Sequence, residues 1–328
     1  MKKRFALTAA LGAASLFLAG CGGPAASDGG NKGTGALADI TVGTLPIVTN
    51  TVLALGVEKG FFKEEGLNVK LASAQGGAAL VPAVVSGQYD FAFSNNVSLL
   101  TARARGLPIK IVAAASSAGT NPTPPDEAIV AGPKSNAKSL AELNGSTVAV
   151  NGLKNMVEVA DRVALEKAGV DLGSVKFVEV GFPDMPAALA SGRIDVAHVA
   201  EPFLSQAVKG GARILSAPYR EVLPDVFMSS WFTSEKVIAE KPDRVAAFQR
   251  ALEKSRAYAV KHTDEVRAYM PTFLKMDATV AKEIAMGNWP AGMPSDASLQ
   301  AWYDACVKYG IFAKDALKNP TDILARTK

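Results

Sequence analysis

A seven-residue pattern occurs twice in this chain, as Ser86-Gly87-Gln88-Tyr89-Asp90-Phe91-Ala92 and, 105 residues later, as Ser191-Gly192-Arg193-Ile194-Asp195-Val196-Ala197. In each copy an Ala/Val-rich stretch of helical period (78–85 and 186–190) runs into a glycine suited to a left-handed helix end, and a short apolar strand follows. Upstream, each copy also has a strand (40–44 and 147–150), a loop, and a helix ending in Glu58-Lys59-Gly60 or Glu166-Lys167-Ala168-Gly169. Each half therefore reads strand, helix, strand, helix, strand. That order predicts right-handed crossovers on a mainly parallel sheet, one sheet per half, so the fold class is α/β with two lobes.

Between the halves, residues 116–126 contain Asn121-Pro122-Thr123-Pro124-Pro125, which can form neither a helix nor a central strand. This is the first crossover. A second is predicted at 216–224, with Pro218 and Pro224, after which Met228-Ser229-Ser230-Trp231-Phe232-Thr233 reads as a strand returning to the first lobe. The predicted boundaries are 39–117 plus 229–328 for lobe 1, 128–216 for lobe 2, and 118–127 and 217–228 for a two-segment hinge. The carboxy-terminal third reads as helices, with stripes of Val245, Phe248, Leu252 and Ala259 and of Leu299, Trp302, Cys306 and Tyr309. Cys306 falls on the apolar face and reads as a small buried hydrophobe.

The amino terminus carries a different message. Lys2-Lys3-Arg4, an apolar run to Ala19 and then Leu18-Ala19-Gly20-Cys21 make an export signal over residues 1–20, with small residues just before a cysteine. The pattern resembles that of bacterial lipoproteins, which implies lipidation at Cys21 and anchoring to the membrane. Residues 21–38, rich in Gly, Ala and Ser, read as a flexible tether. Loss of the leader leaves 32 basic against 31 acidic residues, a balance that gives no electrostatic case for nucleic acid. Two histidines and two cysteines are too few for a His/Cys metal cluster, so neither a metal nor a cofactor is expected.

In open parallel sheets, ligands bind beyond the carboxyl ends of the strands. That rule gathers the loops holding Thr44, Val48, Thr49 and Asn50, then Gly76 and Gly77, then Ser94, Asn95 and Asn96 from lobe 1. From lobe 2 it gathers Asn151, Lys154, Asn155 and Met156, then Phe182 and Met185, then Glu201. Trp231 is added as a stacking wall. Several of these have an equally good structural reading: Gly76-Gly77 as a tight turn, the asparagines as helix caps, Phe182 and Met185 as the top of a core, Trp231 as packing. His198, aligned with Phe93 of the first repeat, reads as a satisfied strand histidine. Glu201 is the sharpest residue, because a carboxylate just past a buried strand needs a donor, either an internal Arg or Lys or a ligand amino or amide group. Among these segments only Lys154 could answer an anion directly.

With these residues in view, the chain resembles the substrate-binding proteins of ATP-binding-cassette (ABC) importers, in the group that handles nitrate, sulfonates, taurine and thiamine-precursor pyrimidines. The residues that carry the resemblance are Gly56-Val57-Glu58-Lys59-Gly60-Phe61-Phe62-Lys63-Glu64-Glu65-Gly66-Leu67, the repeated Ser-Gly-x-x-Asp-x-Ala, and Ala200-Glu201-Pro202-Phe203. The resemblance implies a periplasmic binding protein type II-like fold, two lobes that close over a small-molecule ligand, and delivery to an ABC permease and its ATPase. It implies a monomer and no chemistry on the ligand. The same fold group includes a pyrimidine synthase that consumes its own histidine and carries a cysteine-rich motif, from which this chain departs. A further alternative is an extracytoplasmic ligand sensor working with a separate receptor.

Overall fold

The computed structural model describes residues 37–119 and 125–325. The export signal, Cys21, the tether up to residue 36 and part of the first crossover lie outside the described residues. The strands are β1 Ala38–Thr44, β2 Leu67–Ser73, β3 Phe91–Asn95, β4 Ile109–Ser117, β5 Glu127–Ala131, β6 Thr147–Val150, β7 Lys176–Glu179, β8 Val196–Ala200, β9 Arg213–Ser216 and β10 Phe227–Ser234. The first lobe holds helices α1 Thr51–Glu58, α2 Phe61–Glu64, α3 Val81–Val85 and α4 Asn96–Ala104. The second lobe holds α5 Met156–Lys167, α6 Met185–Ser191 and α7 Phe203–Lys209, and α8 Tyr219–Val222 lies on the way back. The carboxy-terminal third supplies α9 Glu235–Glu240, α10 Pro242–Lys261, α11 Thr263–Leu274, α12 Ala278–Glu283 and α13 Asp296–Lys308.

Two five-stranded sheets result, with orders β2-β1-β3-β10-β4 and β7-β6-β8-β5-β9. The half-repeats supply the parallel trios β2-β1-β3 and β7-β6-β8. The expectation of mainly parallel sheets needs one amendment. Each sheet takes in one antiparallel strand next to its edge, β10 between β3 and β4 and β5 between β8 and β9. Both of these strands follow directly on a crossover, so the chain enters the sheet from the hinge end and runs against its neighbours. All five residues of β8 are buried, as in a central strand covered on both faces.

The repeated glycines act as the pattern requires. Gly87 (φ 79°) and Gly192 (φ 73°) adopt left-handed backbone where α3 and α6 end, a conformation strained for other residues. In lobe 1, Phe91 stacks on Phe248 at 4.0 Å and Phe93 meets Trp231 edge-on at 5.6 Å, so α10 is seated on the sheet by aromatic contact. Ser295 caps α13 by accepting from the Ser298 N–H at 3.2 Å, and burial of Cys306 on that helix pushes its thiol up to about 12. At the hinge, the Ala118 N–H donates to the Val226 carbonyl at 2.9 Å and the Ser117 hydroxyl to Asp225 at 2.7 Å, which holds the two crossing segments side by side. Among the described residues no helix is long and apolar enough to cross a membrane.

Candidate functional site

The first-lobe loops gather at the carboxyl ends of β1, β2 and β3. After β1 the chain turns back so that Asn50, fully buried, donates its Nδ2 to the Leu45 carbonyl at 3.1 Å. Its Oδ1, the Thr51 hydroxyl and the Ser94 hydroxyl are buried and have no hydrogen-bond partner among the described residues. Gly77 lies against the end of β3: a Cβ there would fall 2.5 Å from the Ser94 hydroxyl oxygen and 2.7 Å from the Ser94 Cα, so no larger residue fits. Gly76 faces open space. Thr44 bonds back across the sheet edge to the Ala72 carbonyl at 3.4 Å.

Several asparagines are committed internally. Asn95 caps α4 by accepting from the Ser98 N–H at 2.8 Å, and Asn96 donates to the Phe227 carbonyl at 2.9 Å while accepting from Ser230 at 2.7 Å. Asn155 caps α5 through the Val157 and Glu158 N–H groups at 3.0 and 3.3 Å, and its amide donates to Asn151 at 2.8 Å. Lys154, exposed and at φ 56°, is held by its backbone N–H donating to Glu158 at 2.7 Å. Met156, Phe182, Met185 and Trp231 belong to the main apolar core, and Val48 to a smaller cluster that includes Trp289.

Glu201 is buried at the end of β8. Its carboxylate accepts from the Ser205 N–H at 3.0 Å and the Ser205 hydroxyl at 2.7 Å, both in the first turn of α7, and from the Ala285 N–H at 3.5 Å. Burial raises its pKa against the opposing pull of those donors. The Ala285 contact joins the second lobe to the carboxy-terminal segment. Beside it, the Glu201 N–H donates to the Asp126 carbonyl at 2.8 Å. A Cβ on Gly287 would sit 2.7 Å from Asp126 Oδ2 and 3.8 Å from Thr49 Oγ1, so loop 1, the first crossover and the segment after α12 converge there. Burial first, then Glu127, raises the Asp126 pKa to about 7, with Glu201 adding to the effect and Arg220 opposing it.

His198 lies just below this junction. Its Nδ1 is 2.6 Å from Asp161 and its Nε2 is 3.6 Å from Glu127, which also accepts the Tyr219 hydroxyl at 2.7 Å. Burial alone would lower the His198 pKa, but the two carboxylates outweigh it and raise the value to about 9; burial also raises the pKa of Asp161, against the pull of His198. The structure thus brings Thr49, Asp126 and Glu201 together, with Asn50 next to Thr49 in the chain and Ser94 near the end of β3. Asp126 and Gly287 join this cluster without belonging to any of the loops at the strand ends. The available signal was the Asp126-Glu127 pair at the entry to β5, opposite the Glu201 exit from β8.

The fold is that of two-lobed periplasmic binding proteins. The NMT1/THI5-like family model matches residues 49–266, and the chain belongs to that family. The formylaminopyrimidine-binding protein of Halalkalibacterium halodurans is 25% identical over 330 aligned positions, covering 94% of this chain and 97% of that protein. Among solved structures, the alkanesulfonate-binding protein SsuA from Xanthomonas axonopodis pv. citri, bound to MOPS, superposes with a TM-score of 0.73 at 17% identity, covering 90% of this chain and 100% of that one. The periplasmic nitrate-binding protein NrtA from Synechocystis PCC 6803 gives a TM-score of 0.72 at 15% identity, covering 88% and 85%.

Proposed function

We propose that this chain is the extracytoplasmic solute-binding component of an ABC importer, anchored through a lipid on Cys21, which closes its lobes over a small organic solute and presents it to a permease driven by a cytosolic ATPase. The protein performs no chemistry on the solute. Support comes from membership of the family and from the junction of Thr49, Asp126 and Glu201, where groups from both lobes and the hinge meet. The sign of that junction selects the solute. Asp126, Glu127 and Glu201 lie close enough together to influence one another, and a nitrate or sulfonate placed there would meet like charge. An aminopyrimidine offers N–H donors and a ring nitrogen, which a carboxyl titrating near 7 can match in either protonation state.

The test is a thermal-shift and calorimetric panel on the mature chain with a formylaminopyrimidine, taurine, an alkanesulfonate and nitrate. The aminopyrimidine is expected to raise the melting temperature, and Asp126→Asn and Glu201→Ala to weaken it by about tenfold or more, the loss of a charge-assisted hydrogen bond. A shift given by the anions alone would overturn the choice of solute. Cys21→Ser should release the protein from membranes with its affinity unchanged, as read by fractionation and calorimetry.

A further inference from the structure

The first lobe contains a cavity of about 310 Å³, walled by Val52, Leu53, Trp231, Leu252, Trp289 and Met293. The residues lining it come from the first sheet, Thr49 just before α1, α1, α10 and the segment 289–293, and none from the second lobe. It is therefore separate from the junction of Asp126 and Glu201, apart from sharing Thr49 on one wall. Its volume and mostly apolar lining fit a site for a small molecule, and water gains few partners in such a place.

The walls are held in position. The Ala114 N–H donates to the Gly292 carbonyl at 2.8 Å, pinning the 289–293 segment to the edge of β4, and Gln249 Nε2 donates to the Val112 carbonyl at 2.7 Å from the opposite side. At the rim, Arg256 grips Glu253 with two bonds of 2.7 and 2.5 Å, so the entrance presents a neutral pair rather than a free charge. Trp289, one of the lining residues, carries an indole N–H that is buried and lacks a hydrogen-bond partner among the described residues. An unpaired buried donor is unfavourable, and a guest bearing an acceptor relieves it.

We propose that this cavity is an accessory binding site for a small uncharged solute made of one ring and one hydrogen-bond acceptor, the ring lying between Trp231 and Trp289 and the acceptor answering the Trp289 N–H. The proposal does not depend on what the cleft between the lobes binds. It is tested by calorimetry and ligand-observed NMR on the mature chain, with acetophenone as probe and ethylbenzene as its nearly isosteric partner lacking the carbonyl. Acetophenone is expected to bind saturably at one site per chain, and ethylbenzene at least fivefold more weakly. Leu252→Trp and Met293→Trp, which fill the cavity from opposite walls, should each weaken acetophenone at least tenfold; Met293 is only half-buried, so that variant keeps the test alive if Leu252→Trp does not fold. Trp289→Phe should erase the preference for the carbonyl. Absence of saturable binding, or binding that survives both filling variants, overturns the site, and equal affinity for the two probes overturns the role of Trp289.

Discussion

Residues 93 and 198 occupy the same place in the two half-repeats, on the central strands β3 and β8, and the two lobes use that place in opposite ways. In lobe 1, Phe93 packs edge-on against Trp231, in a core seated by aromatic rings. In lobe 2, the fully buried His198 sits between Asp161 and Glu127, with the Tyr219 ring 5.1 Å away. A shared backbone plan therefore tolerates either an apolar or a charged layer. The charged layer has a consequence that the apolar one lacks: it ties strand β8 and helix α5 to Glu127 and Tyr219, which belong to the two chain segments crossing between the lobes.

Giving lobe 2 the phenylalanine that lobe 1 carries at this place should have the largest effect. His198→Phe leaves the buried Asp161 and the half-buried Glu127 without their shared partner, and is expected to destabilise the chain by about 3–5 kcal/mol in denaturant melts. Adding Asp161→Leu and Glu127→Gln should restore most of that loss; if the single substitution is harmless, His198 is not what holds the layer together.

The second test uses pH. Because the folded-state pKa of His198 is raised from 6.5 to about 9, its stabilising contribution is complete below about pH 6.5 and is lost as the pH rises through about 9. Asp126, raised from 3.8 to about 7, acts with the same sign over a lower range, because the folded chain retains a proton that the unfolded chain has released. Stability should thus fall steadily from about pH 4 to pH 9, with about 3 kcal/mol assigned to His198. His198→Phe should flatten the part above pH 6.5.

The mildest test sharpens the view of lobe 1. Its polar layer, the Ser230 hydroxyl on Asn96 at 2.7 Å, is neutral, and Ser230→Ala should cost only about 1–2 kcal/mol with no change in the pH profile.

The architecture was legible because it is repeated: two copies of Ser-Gly-x-x-Asp-x-Ala imply two equivalent strand, helix, strand units, and proline crossings imply passage between them. The strand at 228–233 was legible from its serines and aromatics flanked by turn residues. The site was legible only as a set of loops. Asparagine at a strand end has the same chemistry whether it caps a helix, as Asn95 and Asn155 do, or meets a guest, and only three-dimensional accounting of its bonds separates the two. Trp231 reads alike as a wall and as core for the same reason. Asp126 and Gly287 were hidden because their proximity joins segments more than 150 residues apart, and no local pattern records such a meeting.

The placement of the two antiparallel strands also sets an order of assembly. The second sheet draws all its strands from one continuous stretch, β5 to β9, so its register can be established as soon as residue 216 is available. The first sheet cannot close until β10 inserts between β3 and β4, across the whole length of the second lobe. Contacts of such wide separation form slowly, because the entropy of closing the loop must be met before they contribute. The lobe synthesised first is thus the lobe completed last, and in hydrogen-exchange pulse labelling β8 should become protected before β3.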